Sequence, residues 1–464
     1  IITIILEMTI DCSNFLIFKR GPDFFIYNKC TSYLYPADQL HYEIARLAQE
    51  ETYDFSLQHI VSQLPDYDLR SITSHYNDIV KMFSESTAHN CLSKKYSLQD
   101  IMHSISEVPQ IVIEVTEQCN LRCSYCYYGK MYYNNNSERG ANMNTENCIH
   151  VLRELLFLRS VLYNRVVISF YGGEPILNFD LIRTVVLFCK NEFPDLEYTF
   201  SLTTNGTLLL KHIDFLERYN FRILISLDGS EGDNVNRVYK NLKPSFNDLN
   251  HIVEYLFQRH LEYFTNNVNF ISVLHIKSNI VSICKYFSKL NKTPILTMLS
   301  LEGINESQQI VYPYHGVSQN EMSQLYELNQ DIYRTIKNTT KSDTIANIEN
   351  EISLFPNKKP LRGCDLFSNK VFLAANEKIY LCEKSSRCFP FGDFKNGKPS
   401  FYIDSINEYY KNIYKSINNV CSDCAIKILC KKCFFSEPSL MSCTTDCKLS
   451  NSQLTHKLIN TLKG

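Results

Sequence analysis

The stretch Thr116-Glu117-Gln118-Cys119-Asn120-Leu121-Arg122-Cys123-Ser124-Tyr125-Cys126 decides how the rest of the chain is read. It follows an apolar run, Gln110–Thr116, that reads as a strand. Its cysteine spacing is C-x3-C-x2-C. Three thiolates this close together can ligate three irons of a cubane iron–sulfur cluster and leave one iron open. An open coordination position suits a catalytic site, whereas a structural site closes it. Two simpler readings compete. One is a zinc knuckle lacking its fourth ligand, since no His lies in the loop. The other is a C-x2-C redox pair, which leaves the third cysteine unexplained.

Working outward, the chain of 464 residues holds 18 cysteines. Disulfide frameworks belong mainly to small secreted chains. Here twelve of the 18 cysteines cluster in two short regions, which favours metal or cluster ligation. The scattered Cys12, Cys30, Cys91, Cys148, Cys189 and Cys284 read as small buried hydrophobes. The run Ile1–Ile10 is expected to be a strand. It carries Glu7, lacks a charged leader, and is shorter than the roughly 20 apolar residues of a membrane span. No membrane association is expected, and a cytoplasmic location follows. Basic and acidic residues, 47 against 49, give a net charge of −2, so nothing favours a nucleic-acid backbone.

Residues 1–100 read as a small α+β module. Strands at Phe15–Phe18 and Phe24–Tyr27 flank Gly21-Pro22-Asp23, and helices follow near 37–50, 55–64 and 69–83. Residues 108–300 alternate strand and helix. The six expected strands are Gln110–Thr116, Val166–Tyr171, Glu197–Thr203, Arg222–Leu227, Val268–Leu274 and Ile295–Ser300. Such alternation predicts an α/β fold with a parallel sheet, either a partial barrel or an open sheet, with its chemistry at the carboxyl ends of the strands. Residues 301–355 read as a polar bridge, partly helical over Gln319–Asn338. Residues 356–464 hold nine cysteines and few periodic runs, and are expected to depend on metal for folding.

The second strand runs into Gly172-Gly173-Glu174-Pro175, the third into Thr204-Asn205-Gly206, and the fourth ends at Ser226 before Leu227-Asp228-Gly229. With the cysteine loop one β/α unit earlier, this series resembles the radical S-adenosylmethionine (SAM) enzyme superfamily. The resemblance implies a partial (β/α)6 barrel. It also implies that Cys119, Cys123 and Cys126 hold a 4Fe–4S cluster whose open iron binds SAM. The Gly172–Pro175 backbone and Glu174 would hold the SAM amino group, with Thr204 and Asn205 in the family's third motif. Ser226 would touch the ribose, Arg237 the carboxylate, and Tyr125 would lie near the adenine, with core packing an equal alternative for Tyr125. The implied chemistry is reductive cleavage of SAM to a 5′-deoxyadenosyl radical, which takes a hydrogen atom from the substrate.

The C-terminal cysteines fall at 364, 382, 388, 421, 424, 430, 433, 443 and 447. Cys364 and Cys382 bracket an expected hairpin turning at Ala375–Lys378. A zinc ribbon would need about 15–20 residues between its C-x2-C pairs, where this chain has five between Cys424 and Cys430. The pattern resembles the SPASM extension of peptide-modifying radical SAM enzymes, with two departures: Glu377 stands where that pattern has Gly, and two residues rather than three separate Cys430 from Cys433. The resemblance implies two auxiliary 4Fe–4S clusters, for three in all. One would use Cys364, Cys382 and Cys433, with Cys388 as the candidate fourth ligand or that iron left open. The other would use Cys421, Cys424 and Cys430, with Cys447 or its rival Cys443. Glu383 is the candidate base, against the plainer reading of a surface carboxylate.

The expected function is a radical SAM peptide maturase that installs a thioether or carbon–carbon cross-link in a ribosomally made precursor peptide. Its partners would be that peptide with its leader segment and a flavodoxin- or ferredoxin-type electron donor. Residues 1–100 weakly resemble the winged-helix leader-recognition element of such enzymes, which adds a peptide to a sheet edge. The alternatives are a sulfatase-maturating enzyme forming formylglycine, and a cluster- or zinc-binding module without turnover.

Overall fold

The computed structural model describes residues 15–28, 33–50, 56–84, 95–126, 128, 140–159, 164–275, 278–298, 319–328, 366–385, 387, 389–395 and 397–421. Strands β1 (Phe15–Arg20), β2 (Asp23–Asn28) and β3 (Tyr33–Ala37) form an antiparallel meander. Gly21 turns the first hairpin at φ 58°, a conformation glycine adopts without a Cβ penalty. Helices α1 (Gln39–Glu50), α2 (Leu57–Gln63) and α3 (Leu69–Ser84) follow, within a few residues of expectation. Phe15, Ile26, Ile44, Ile60, Ile72 and Ile79 close a small core of their own. The strand expected at Ile1–Ile10 lies outside the described residues. Strand β3 is an addition to the sequence reading. Among the described residues it pairs with β2 alone, so there Pro36 stands on an edge strand, where a missing donor is tolerated.

Helix α4 (Leu98–Glu107) opens with a Ser97/Asp100 capping box and joins the larger core through Ile101 and Ile105. The alternating region then contains β4 (Gln110–Thr116), α5 (Thr145–Phe157), β5 (Arg165–Gly172), α6 (Phe179–Glu192), β6 (Glu197–Thr204) and α7 (Ile213–Arg218). It continues with β7 (Arg222–Ser226), α8 (Phe246–Arg259), α9 (Leu261–Asn267), β8 (Val268–Leu274), α10 (Ile280–Ser288) and β9 (Ile295–Met298). Strands β4 to β9 pair in sequence order and in parallel. All six expected strands are present.

Alternation along these strands separates two faces. Ile111, Ile113, Ile168, Phe170, Phe200, Leu202, Ile223 and Ile225 pack against helix residues such as Val151, Leu155, Ile182, Val253 and Ile283. The opposite face carries a polar row, in which Gln110 Nε2 donates to Ser169 Oγ at 2.6 Å and Ser169 and Ser201 share a 2.6 Å hydroxyl contact. A sheet buried in apolar side chains on both faces would not tolerate these groups so readily.

The C-terminal region comprises α11 (Gln319–Leu328), β10 (Val371–Leu373), β11 (Lys378–Tyr380), β12 (Gly392–Asp393), β13 (Ser400–Phe401) and α12 (Ile403–Cys421). Strand β10 pairs in parallel with β4, and β10 to β13 extend the sheet to ten strands. This corrects the expectation of a segment poor in periodic structure. Val371, Leu373, Ile379, Phe394, Ile406 and Tyr410 belong to the same apolar core as the parallel strands. The hairpin turns where expected, and Glu377 itself adopts φ 62°, the conformation that favours glycine. Its carboxylate accepts from Asn147 Nδ2 at 2.6 Å. No helix among the described residues is long and apolar enough to cross a membrane.

Candidate active site

The cysteine loop leaves the carboxyl end of β4 and is held from two sides. On one side, the Gly172–Glu174 backbone docks on it. Gly173 N–H donates to Thr116 O at 2.8 Å and Glu174 N–H to Gln118 O at 2.7 Å. A Cβ on Gly172 would stand 2.2 Å from Thr116 O, and one on Gly173 would stand 2.2 Å from Gln118 O. Gly172 is also at φ 140°. Both glycines are therefore required by the approach of one strand end to another.

Glu174 completes that joint. Its Oε1 accepts from Ile176 N–H at 3.1 Å and Thr204 Oγ1 at 2.7 Å, and its Oε2 accepts from Asn205 N–H at 2.7 Å. The side chain is fully buried, so the carboxylate expected at the SAM ammonium is engaged by the ends of β5 and β6 instead. Burial pushes its carboxyl up to about 7, against the three hydrogen bonds, which favour the charged form. Pro175 opens a short 3-10 helix over Pro175–Asn178 with Glu174 as its N-cap.

Asn205 carries the joint to the cysteines. Its Nδ2 donates to Asn120 Oδ1 at 2.8 Å and reaches Cys119 Sγ at 3.7 Å. Leu121 N–H also donates to Cys119 Sγ, at 3.3 Å. Two N–H donors on one sulfur suit a thiolate ligand. Burial, with the nearby Glu174 and Asp228 carboxylates and the neighbouring thiols, pushes the Cys119 and Cys123 thiols up to about 11. Among the described residues, the three cysteine sulfurs are not a trio converging within 4.8 Å. A single tetrahedral zinc would draw them to about 3.8 Å of one another, given Zn–S bonds near 2.3 Å.

On the other side, Tyr125 holds the loop to the end of β7. Its hydroxyl donates to the buried Asp228 carboxylate. Arg237 donates to the same carboxylate, Nε to Oδ2 at 3.1 Å and Nη2 to Oδ1 at 3.0 Å, and its guanidinium lies 5.4 Å from the Tyr125 ring centre. Val273 N–H adds a fourth donor at 3.0 Å. Arg237, expected on the SAM carboxylate, is thus paired with Asp228, and Tyr125 is a buried anchor. Ser226 ends β7 half-buried, on the polar face of the sheet. Asp228 had no role in the sequence reading. Its signal is its place two residues after Ser226, at a strand end.

A second buried carboxylate, Glu114, was also missed. It pairs with Arg387 Nη2 at 2.7 Å and accepts from Tyr128 Oη at 2.8 Å and Ala375 N–H at 2.9 Å. It ties β4 to the C-terminal hairpin. Glu383 lies beyond that hairpin, where both its oxygens meet Lys370 Nζ at 3.1 Å. Cys382 is half-buried, 3.5 Å from Ser385 Oγ. Cys148, Cys189 and Cys284 are buried free thiols in the apolar core, as expected. Cys12, Cys30, Cys91, Cys364, Cys388, Cys424, Cys430, Cys433, Cys443, Cys447 and the side chain of Cys421 lie outside the described residues.

Residues 113–280 match the family model of the Radical SAM superfamily. The chain is 26% identical over 181 residues to the radical SAM cyclopropyl synthase TigE of Paramaledivibacter caminithermalis, covering 35% of this chain and 38% of that protein. It is 26% identical over 238 residues to a cysteine-type anaerobic sulfatase-maturating enzyme of Clostridium novyi, covering 50% of this chain and 59% of that enzyme. It therefore spans about half the length of the curated relatives it matches. A solved structure described as "Native anSMEcpe with bound AdoMet" aligns with a TM-score of 0.52 at 17% identity, over 76% of this chain and 96% of that one. That likeness shows the fold.

Proposed function

Because residues 113–280 match the Radical SAM superfamily model, we propose that the chain is a radical SAM peptide maturase that cross-links a ribosomally made precursor peptide. The observation that carries the proposal is the Cys119–Cys126 loop, clamped between the Gly172–Glu174 backbone and the Tyr125–Asp228 anchor, with N–H donors aimed at Cys119 Sγ. Cys119, Cys123 and Cys126 would hold one 4Fe–4S cluster with an open iron for SAM. When bound, the cluster and SAM supply a 5′-deoxyadenosyl radical that removes a hydrogen atom from the substrate.

The chain's own residues supply position and enclosure. Glu174 locks the ends of β5 and β6, so that Asn205 meets Cys119 at a fixed distance. Asp228 holds Arg237 and Tyr125, and through Tyr125 the third cysteine. Ser226 is left to face the ribose. The auxiliary clusters assigned to Cys364, Cys382, Cys388, Cys421, Cys424, Cys430, Cys433 and Cys447 would serve the oxidation that a cross-link requires. The leader segment would add to the edge of the β1–β3 sheet.

The second reading is formylglycine formation on a sulfatase, favoured by the Clostridium novyi relative. Glu383 would then be the base. Its pairing with Lys370 and the separate core around α1 to α3 favour the first reading. The test is anaerobic incubation of the reconstituted protein with SAM, a reductant and the peptide encoded beside it. A product lighter by two hydrogen atoms per cross-link supports the proposal. An unaltered peptide, with a sulfatase peptide oxidised instead, transfers the assignment to the second reading.

A further inference from the structure

The N-terminal module holds a cluster of ligating side chains that the cysteine loop does not use. Asp38 caps α1, accepting His41 N–H on Oδ1 at 2.8 Å. His41 Nδ1 lies 3.0 Å from the same oxygen. His75 of α3 brings Nε2 to 2.9 Å from Asp38 Oδ2. The two imidazole rings are 4.2 Å apart. Among the described residues, these three form the group of His, Cys, Asp or Glu ligand atoms that converges within 4.8 Å. We propose that Asp38, His41 and His75 bind a divalent cation of the zinc type, which clamps α1 to α3.

Three observations support the assignment. The first is spacing. Nitrogen and oxygen ligands about 2.0–2.1 Å from a tetrahedral zinc stand about 3.3 Å apart. The contacts of 2.9 and 3.0 Å need only small shifts to reach that separation.

The second is the outer nitrogen of each ring. His75 Nδ1 sits 2.8 Å from Ser71 O, and His41 Nε2 faces Asp78 Oδ2 at 3.7 Å. Metal-ligating histidines almost always set the other ring nitrogen on a carbonyl or carboxylate, which fixes tautomer and orientation. His75 has such a partner, His41 faces a carboxylate beyond hydrogen-bond range, and both inner nitrogens approach Asp38.

The third is access. The Asp38 side chain is 57% exposed, which leaves an entry path and a fourth position for water.

The test uses the full-length, cluster-reconstituted protein equilibrated with zinc chloride and desalted, beside Asp38→Asn and His75→Gln. Both substitutions keep hydrogen-bonding capacity and remove one ligand, and circular dichroism checks each fold. Zinc held by cysteines contributes equally to all three proteins. The expected result is one equivalent more zinc in the wild type than in either variant, and a zinc-dependent rise in melting temperature in the wild type only. Equal zinc content in the wild type and a folded variant overturns the site.

Discussion

Arg237 grips Asp228 through two donors at 3.1 and 3.0 Å, with both side chains almost wholly buried. Removing one partner leaves an uncompensated buried charge, which costs about 3–5 kcal/mol. Asp228→Asn should therefore lower unfolding stability by that order in urea titrations. Ser226→Ala, which touches no such pair, should cost less than about 0.5 kcal/mol. An Asp228→Asn protein as stable as the wild type would mean that Arg237 is free for a ligand after all.

Gly173 leaves no room for a side chain, because a Cβ would stand 2.2 Å from Gln118 O and 2.6 Å from Glu117 O. Both neighbours are backbone, so the loop that presents Cys119 must move. Gly173→Ala is expected to reduce iron bound after reconstitution several-fold, and to weaken the broad visible absorbance with it. Gly232→Ala, which meets no heavy atom within 4 Å, is the control. Equal iron in the two variants would refute the brace.

Glu174 gives the site a pH signature. Burial, opposed by hydrogen bonds from Thr204, Asn205 and Ile176, pushes its carboxyl from the ordinary 4.5 to about 7. The protonated form is the one that folding favours. Its contribution is therefore fully present below pH 4.5 and is lost as pH rises through 7. Glu174→Gln does not titrate, but it turns an NH2 toward N–H donors, a cost of about 1–3 kcal/mol. Melting curves should show the wild type ahead of Glu174→Gln by more at pH 5 than at pH 8. An advantage that grows with pH would contradict the burial argument.

The Glu114–Arg387 pair joins residues 273 apart in sequence and fastens the C-terminal hairpin to β4. Arg387→Met alone strands a buried carboxylate and should cost about 3–5 kcal/mol. The double variant Glu114→Gln, Arg387→Met should recover much of that loss. A double-mutant cycle with no coupling would show that the hairpin docks by apolar packing of Phe372 and Tyr380 alone.

The β4–β9 sheet is legible because each strand repeats an apolar alternation between turn signals, and the motifs at the strand ends lie in order along the chain. The roles of Glu174 and Arg237 are not legible, because each depends on what the other strand ends bring. The same holds for Asp228 and Glu114, whose partners are distant in sequence. Helix α12 does carry a stripe, Ile406, Tyr410 and Ile413, spaced for one helical face. Cys148 and Cys189 were legible as core residues, since nothing near them in sequence suggests a ligand set.

The most direct test is 5′-deoxyadenosine formation by the anaerobically reconstituted protein given SAM and a strong reductant. The account predicts 5′-deoxyadenosine and methionine in equal amounts from the wild type, and none from Cys119→Ala, Cys123→Ala or Cys126→Ala proteins that remain folded. An iron-loaded wild-type protein that yields no 5′-deoxyadenosine, or cysteine variants that yield as much as the wild type, would contradict it.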